Sequence, residues 1–235
     1  MKRSRRYKEI ASKIDKNDSY ALNEAIAKAK EFASAKFDEA LDVSLRLGVN
    51  PRHADQMIRG RVALPHGTGK SVRVLVLTKG SAVDEAKQAG ADHVGLDDMI
   101  QKILEGWFEF DVVIATPDVM GMIGGKLGKV LGPKGMMPNP KSGTVTQDVG
   151  TAVREVKAGK IEFRVDRYGI IHVAIGKVSF DAEKLQDNFK AFFEAVLRMR
   201  PASVKGQYVR SITLSSTMGP GIKIDRTQIL DEIKI

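Results

Sequence analysis

The sequence predicts a two-domain chain of mixed α+β and α/β class: a discontinuous α+β domain of split β-α-β character made from both chain ends, with an inserted Rossmann-like parallel α/β domain. Three observations carry this. The 235 residues exceed one average domain. Strands before residue 65 and after 160 alternate polar with apolar positions, as sheets with one open face do. Between 71 and 158, short runs apolar on both sides alternate with amphipathic helices, as in a buried parallel sheet with crossover helices. Each end alone has too few strands to close a core. Residues 1–66 and 160–235 are therefore expected to fold together, with 67–159 inserted between them.

Along the chain, about fifteen polar and basic residues come first. Asp18 or Ser19 is placed to cap a helix whose apolar positions Leu22, Ile26, Ala29 and Ala33 keep helical spacing. "AKFDEA" interrupts it. "LDVSLRL", residues 41–47, then alternates strictly, with Asp42, Ser44 and Arg46 on the open face. After "GVNPRHADQ" the stretch "LPHGTGKSVRVLVL", residues 64–77, marks a boundary. Its Gly69-Lys70-Ser71 resembles the end of a phosphate-cradling loop. That motif needs a glycine five residues before Gly69, where this chain has Leu64, and it must open a helix. Here the continuation reads as a strand, so a glycine-rich turn is expected and a nucleotide-using enzyme is the rival reading.

In the inserted segment the strands are "VRVLVL", "ADHVG", "DVVIATP" and "TVT", and the helices "SAVDEAKQAG", "LDDMIQKILEGW" and "DVGTAVREVKAG". No GxGxxG follows a strand, so no dinucleotide site and no cofactor is expected. Beyond Gly159, "KIEFRVD" and "IIHVAIG", joined at "RYG", read as a hairpin. A helix follows from about 181 to 199, its buried face marked by Leu185, Phe189, Phe192, Phe193, Val196 and Leu197, and Pro201 ends it. In "YVRSITLSST" the alternation sets Val209, Ser211, Thr213 and Ser215 on one side and Tyr208, Arg210, Ile212 and Leu214 on the other.

Charge points to a partner. Lys and Arg number 38 against 29 Asp and Glu, giving +9 and a pI near 9.6, which favours a polyanion such as nucleic acid. The excess sits at the ends: residues 1–65 hold 14 basic and 9 acidic side chains, 66–160 hold 12 and 11, and 161–235 hold 12 and 9. The chain has no cysteine, no apolar leader and no apolar run near the ~20 residues of a membrane span, so a cytoplasmic protein without a membrane partner is expected. His53, His66, His93 and His172 lack metal-ligand spacing. Adjacent helical carboxylates such as Asp84 with Glu85 do not face one another, and no GxSxG elbow occurs. No catalytic residue and no metal is expected.

Three stretches are candidates for binding. "GMIGGKLGKVLGPKGMMPNPKSG", residues 121–143, holds seven glycines, three prolines and four lysines, in a region free of acidic residues from Val119 to Gln147. Lys126, Lys129, Lys134 and Lys141 would form an unopposed cationic loop for phosphate contact, or else a solubilising one. In "SSTMGPG", Met218 is unusual for a turn: either a thioether that lies on a base, or a plug buried under the loop. Lys36 and Phe37 pair a cation with an aromatic ring, for phosphate and stacking, or with Phe37 as core.

Together, "RLGVNPRHADQMIRGRVALPHGTGK", "GKLGKVLGPKGMMPNPKSGTVT", "KAGKIEFRVDRYGIIHVAIGKVSF" and "SSTMGPG" resemble the bacterial large-subunit ribosomal protein L-one family, over nearly the whole chain. The resemblance implies an RNA-binding domain from both chain ends that holds the large-subunit rRNA stalk, and a Rossmann-like domain joined by a hinge at Gly67 and Gly69. It implies rRNA contacts at Lys36, Phe37, Arg164, His172, Ser211, Thr217, Met218 and Gly219. It further implies a place on the ribosome beside exit-site tRNA, help in releasing deacylated tRNA, repression of the protein's own operon mRNA, and a monomer when free. Arg164 shares a strand face with Glu162 and Asp166, which are expected to orient it. Ala40 stands where a threonine is expected, and "IDRTQILDEIKI" runs longer than the usual end, with no role legible in the sequence.

Overall fold

The structure, a computed structural model, describes residues 4–15 and 18–233. In chain order its helices are α1 (Arg5–Ser12), α2 (Leu22–Phe32), α3 (Ala82–Gln88), α4 (Asp97–Leu104), α5 (Met120–Leu131), α6 (Val149–Lys157), α7 (Ala182–Arg198) and α8 (Arg226–Glu232). The strands are β1 (Ala40–Leu47), β2 (Arg59–Ala63), β3 (Val74–Leu77), β4 (His93–Gly95), β5 (Val112–Ala115), β6 (Lys160–Arg164), β7 (Ile170–Lys177), β8 (Val209–Ser216) and β9 (Ile222–Ile224). The fold is mixed α and β, with one parallel sheet and antiparallel pairing elsewhere, and Met1–Gly69 with Ile161–Ile235 form one compact unit, Lys70–Lys160 a second.

In the first unit a four-stranded sheet runs in the order β7-β1-β8-β9 with antiparallel neighbours. β7 and β8 are therefore parallel to each other on either side of β1, and α7 connects them. The alternation of β1 sends Leu41, Val43, Leu45 and Leu47 into a core shared with Ile171, Val173, Ile175, Ile212 and Leu214. α2 and α7 cover that face with Leu22, Ala25, Ile26, Ala29, Leu185, Phe189, Phe192 and Phe193. Each large side chain so buried contributes about 1.5–3 kcal/mol. The opposite face of the sheet is left open.

Three local readings are corrected here. The expected hairpin does not form: β6 pairs with β2 in a separate two-stranded sheet, and β7 pairs with β1. The Val165 N–H donates to the Ile58 carbonyl, which carries β6 along β2 before the chain turns. In β8 the strict alternation breaks, because a bulge opposite Arg46/Leu47 absorbs Arg210 and turns Val209 inward beside Tyr208. Asp18 and Ser19 do not cap α2. Tyr20 bridges Ile224, its N–H donating to the Lys223 carbonyl, so the chain is still extended there and Ala21 becomes the cap residue. The polar N-terminal stretch forms α1, capped by Ser4, whose hydroxyl accepts from the Tyr7 N–H. The tail forms α8, which lays Ile229, Leu230 and Ile233 on the first unit's core.

In the second unit β4-β3-β5 form a parallel sheet. Leu75, Leu77, Val113 and Ala115 face α4 and α5, while Val74, Val76 and Ile114 face α3 and α6. "TVT" contributes a single parallel bridge, Val145 to Ala115, rather than a full strand. The expected loop from 121 is helical up to Leu131: Ile123, Leu127 and Leu131 recur at four-residue spacing and are buried, and no proline interrupts α5.

Candidate nucleic-acid interface

Lys36 and Phe37 lie in the loop between α2 and β1, and Thr217, Met218 and Gly219 in the turn between β8 and β9. A buried carboxylate holds the two loops together. Glu39, 2 % exposed, accepts from the Ala35 N–H through Oε1 at 2.9 Å and from the Met218 N–H through Oε2 at 2.9 Å. Burial alone would raise its pKa, yet these N–H donors, with the Arg6 guanidinium nearby, hold it below the usual glutamate range. Thr217 and Ala40 add three bonds: the Thr217 N–H to the Ala40 carbonyl at 3.1 Å, the Ala40 N–H to Thr217 Oγ1 at 3.0 Å, and Oγ1 to the same carbonyl at 3.3 Å. Arg6 of α1 spans the pair, from Ser34 Oγ at 2.9 Å to the Met218 carbonyl at 3.5 Å.

Phe37 and Met218 point outward from this tie, at 55 % and 49 % exposure, beside the exposed Lys36. Phe37 as core and Met218 as a buried plug are thereby excluded.

The open face of the sheet carries the rest. Ser44 of β1 lies between His172 of β7 and Thr213 of β8, and its hydroxyl is 3.0 Å from His172 Nδ1. Lys223 of β9 extends this row opposite Thr213, and in the next row Arg46 lies opposite Ser211. Asp42 sits in the adjoining row, its pKa raised by burial against the pull of Lys177 and His172. Arg164 stands apart at the end of β6, on the two-stranded sheet. Its expected carboxylate partners are engaged elsewhere. Glu162 pairs with Arg59, and Asp166 Oδ2 is 3.7 Å from His172 Nε2.

The lysines of the second unit do not form one unopposed loop. Lys126 and Lys129 project from α5, and Lys126 Nζ is 3.7 Å from Asp97 Oδ1. Lys134 Nζ lies 3.5 Å from the centroid of the Phe108 ring. The side chain of Lys141 is outside the described residues.

At the crossing between units, Gly67 and Gly69 have φ of 66° and 70°, values that favour glycine. Asn188, a fully buried polar residue within the apolar face of α7, fastens the segment: Oδ1 accepts from the His66 N–H at 3.0 Å, and Nδ2 donates to the Gly67 and Ile175 carbonyls at 2.8 and 2.7 Å. Lys70, the lysine of the apparent phosphate loop, donates to Asp111 Oδ1 at 2.6 Å. This bond, with Arg73, outweighs burial and lowers the Asp111 pKa.

Sequence reasoning missed Glu39, Arg6 and Asn188. Only Asn188 left a signal, as the polar interruption between Leu185 and Phe189.

Residues 29–220 match the model of the Ribosomal protein L1p/L10e family. The chain belongs to this family. The match covers about four fifths of the sequence and includes every residue of the interface described above except Arg6 and Lys223. As an L1 family member the protein is a structural constituent of the ribosome that binds rRNA, and it is not an enzyme. Among the described residues no helix is long and apolar enough to cross a membrane.

Proposed function

We propose that the first unit, as the RNA-binding domain, grips the large-subunit rRNA stalk with the two tied loops and the open sheet face, through Lys36, Phe37, His172, Ser211, Thr217, Met218 and Gly219, and with Arg164 from the separate two-stranded sheet. The observation that carries this is the tie itself: Glu39 and Thr217 keep Lys36, Phe37 and Met218 on neighbouring loops while the ring and the thioether stay half exposed. Leaving such groups out of the core forgoes part of ~1.5–3 kcal/mol each. Stacking on unpaired bases, worth ~1–3 kcal/mol per base, offsets the loss. Ser44, Thr213 and Ser211 suit 2′-hydroxyls and base edges, and Arg46 and Lys223 suit phosphates.

The Rossmann-like second unit then serves exit-site tRNA through Lys126, Lys129, Lys134 and Lys141, aiding release of the deacylated molecule, with Gly67 and Gly69 as hinge. The same RNA surface of the first unit takes a mimic of the rRNA site in the protein's own operon mRNA and represses its translation, the free protein being a monomer. The near-neutral middle segment between two basic ends supports this division of labour.

The test is binding of the purified chain to a transcript of the rRNA stalk and to an unrelated structured RNA across a salt series. Selective binding that survives moderate salt is expected, with Met218→Ala weakening it by ~1–3 kcal/mol. Replacing Lys129 and Lys134 by alanine should leave stalk binding intact. Equal binding to both RNAs, erased by salt, would reduce the interface to bare charge and sink the reading.

A further inference from the structure

Away from the tied loops, a cavity of about 850 Å³ opens in the first unit between the chain after β1 and the turn after β6. Arg52, Arg164 and Arg167 line it, with Met57, Tyr168 and the single carboxylate of Asp166. Among the described residues neither Arg52 nor Arg164 forms an ion pair. The Arg167 guanidinium lies 4.9 Å from the centroid of the Tyr168 ring. Tyr168 and Met57 are 66 % and 36 % exposed.

Asp166 is already committed. Its Oδ1 accepts from the Tyr168 and Ile170 N–H groups, both at 2.8 Å, and although burial alone would raise its pKa, these donors hold it low. Its charge shapes the turn, and its ion partner among the described residues is His172 rather than any of the three guanidinium groups. The opposite wall is fixed as firmly. The Asn50 N–H donates to Gln56 Oε1 at 2.8 Å, and the Arg52 N–H to Asn50 Oδ1 at 3.2 Å. Gly169, at φ 79°, lies so close to the Leu47 and Val49 carbonyls that a Cβ would come within 3.3 Å of both. A preformed concave site with three cations, an exposed phenol ring and an exposed thioether has the parts that hold one nucleotide: a face for the base and donors for the flanking phosphates.

We infer that this cavity takes a single unstacked nucleotide of an RNA strand, its base against Tyr168 and Met57 and its phosphates on Arg52, Arg164 and Arg167. A duplex is excluded by shape, because its bases are stacked inside and cannot enter a concave site. The inference rests on the RNA-binding reading for the class of partner; it shares Arg164 with that reading and adds Arg52, Arg167, Tyr168 and Met57 as a subsite apart from Phe37 and Met218.

The full chain is titrated with three fluorescent probes: a short single-stranded oligouridylate, a blunt RNA duplex and the stalk transcript. Tyr168→Ala and Arg52→Gln should each weaken oligouridylate binding about five- to a hundredfold, with Tyr168→Phe close to wild type and duplex binding unmoved. In the unaltered protein the Met57 methyl resonance should shift with oligouridylate and not with duplex, which keeps the question open to test if a variant fails to fold. Unchanged oligouridylate affinity in Tyr168→Ala, a silent Met57 methyl, or an equal loss of duplex binding would overturn the inference. Failure of the stalk reading gives a different pattern: Met218→Ala leaves stalk binding untouched while the oligouridylate results stand.

Discussion

Replacing Glu39 by alanine removes a carboxylate that binds both loops of the interface at once. Two part-buried N–H groups, Ala35 and Met218, lose an ionised acceptor at 2.9 Å each. A hydrogen bond to a charged group contributes about 1.5–3 kcal/mol, and the orphaned donors keep their desolvation penalty. Because the two losses share one side chain they do not simply add, and a local cost of about 3 kcal/mol is expected. Amide hydrogen exchange at Ala35 and Met218 reads this directly, as an acceleration on the order of a hundredfold at neutral pH. The effect must depend on pH in a set direction. Folding lowers the Glu39 pKa from its ordinary 4.5, so its contribution is fully present above that value and is lost as pH falls through the lower native one. The ratio of variant to wild-type exchange should therefore shrink towards unity in acid. Stalk RNA binding should weaken in parallel, since the loops then pay ordering entropy on binding. Unaltered exchange at Met218, or a ratio that persists in acid, would show that Thr217, Ala40 and Arg6 hold the loops and that the carboxylate is incidental.

Two further changes probe the segment between the units. Asn188→Leu keeps volume in α7 but strips partners from the His66 N–H and the Gly67 and Ile175 carbonyls. A loss of about 2–4 kcal/mol from the first unit is expected, read as a lower melting temperature for that unit with the second unit's transition unmoved. Lys70→Ala tests the rival enzyme reading. Lys70 is 60 % exposed and serves Asp111, so the expected change is under ~1 kcal/mol in stability, without any change in calorimetric titration with ATP. A nucleotide signal that disappears in this variant would reopen the enzyme reading.

How much was legible depended on whether the deciding interactions were local. β1 was legible almost to the residue because its two faces differ in polarity at every step and a slip would invert them all. α7 was legible because six large apolar residues keep helical spacing. Asn188 was overlooked because it reads as a tolerated polar residue, and its partners lie more than 120 residues away at His66 and Gly67. Glu39 was invisible for the same reason: it is one of two adjacent acids before a strand, and its meaning depends on Met218, which the sheet brings to it from the other end of the chain.

The errors have a different origin. The sequence reads as a loop across α5 because glycines and prolines crowd residues 121–143, and four glycines between 121 and 128 each cost a helix about 1 kcal/mol. What outweighs them is burial of Ile123, Leu127 and Leu131 against β3 and β5, a term of several kcal/mol that appears only once the parallel sheet exists to receive it. The bulge that turns Val209 inward answers a similar demand. Strict alternation would have left Val209 on the open face with Ser211 and Thr213, and one extra residue at Arg210 lets β8 bury Val209 and Tyr208 at one end while keeping its hydroxyls exposed at the other. The interface therefore needs both kinds of information. Alternation along β1 and β8 exposes Ser44, Arg46, Ser211 and Thr213, and that is written in the sequence; the tie that holds Phe37 and Met218 beside them is written only in the fold.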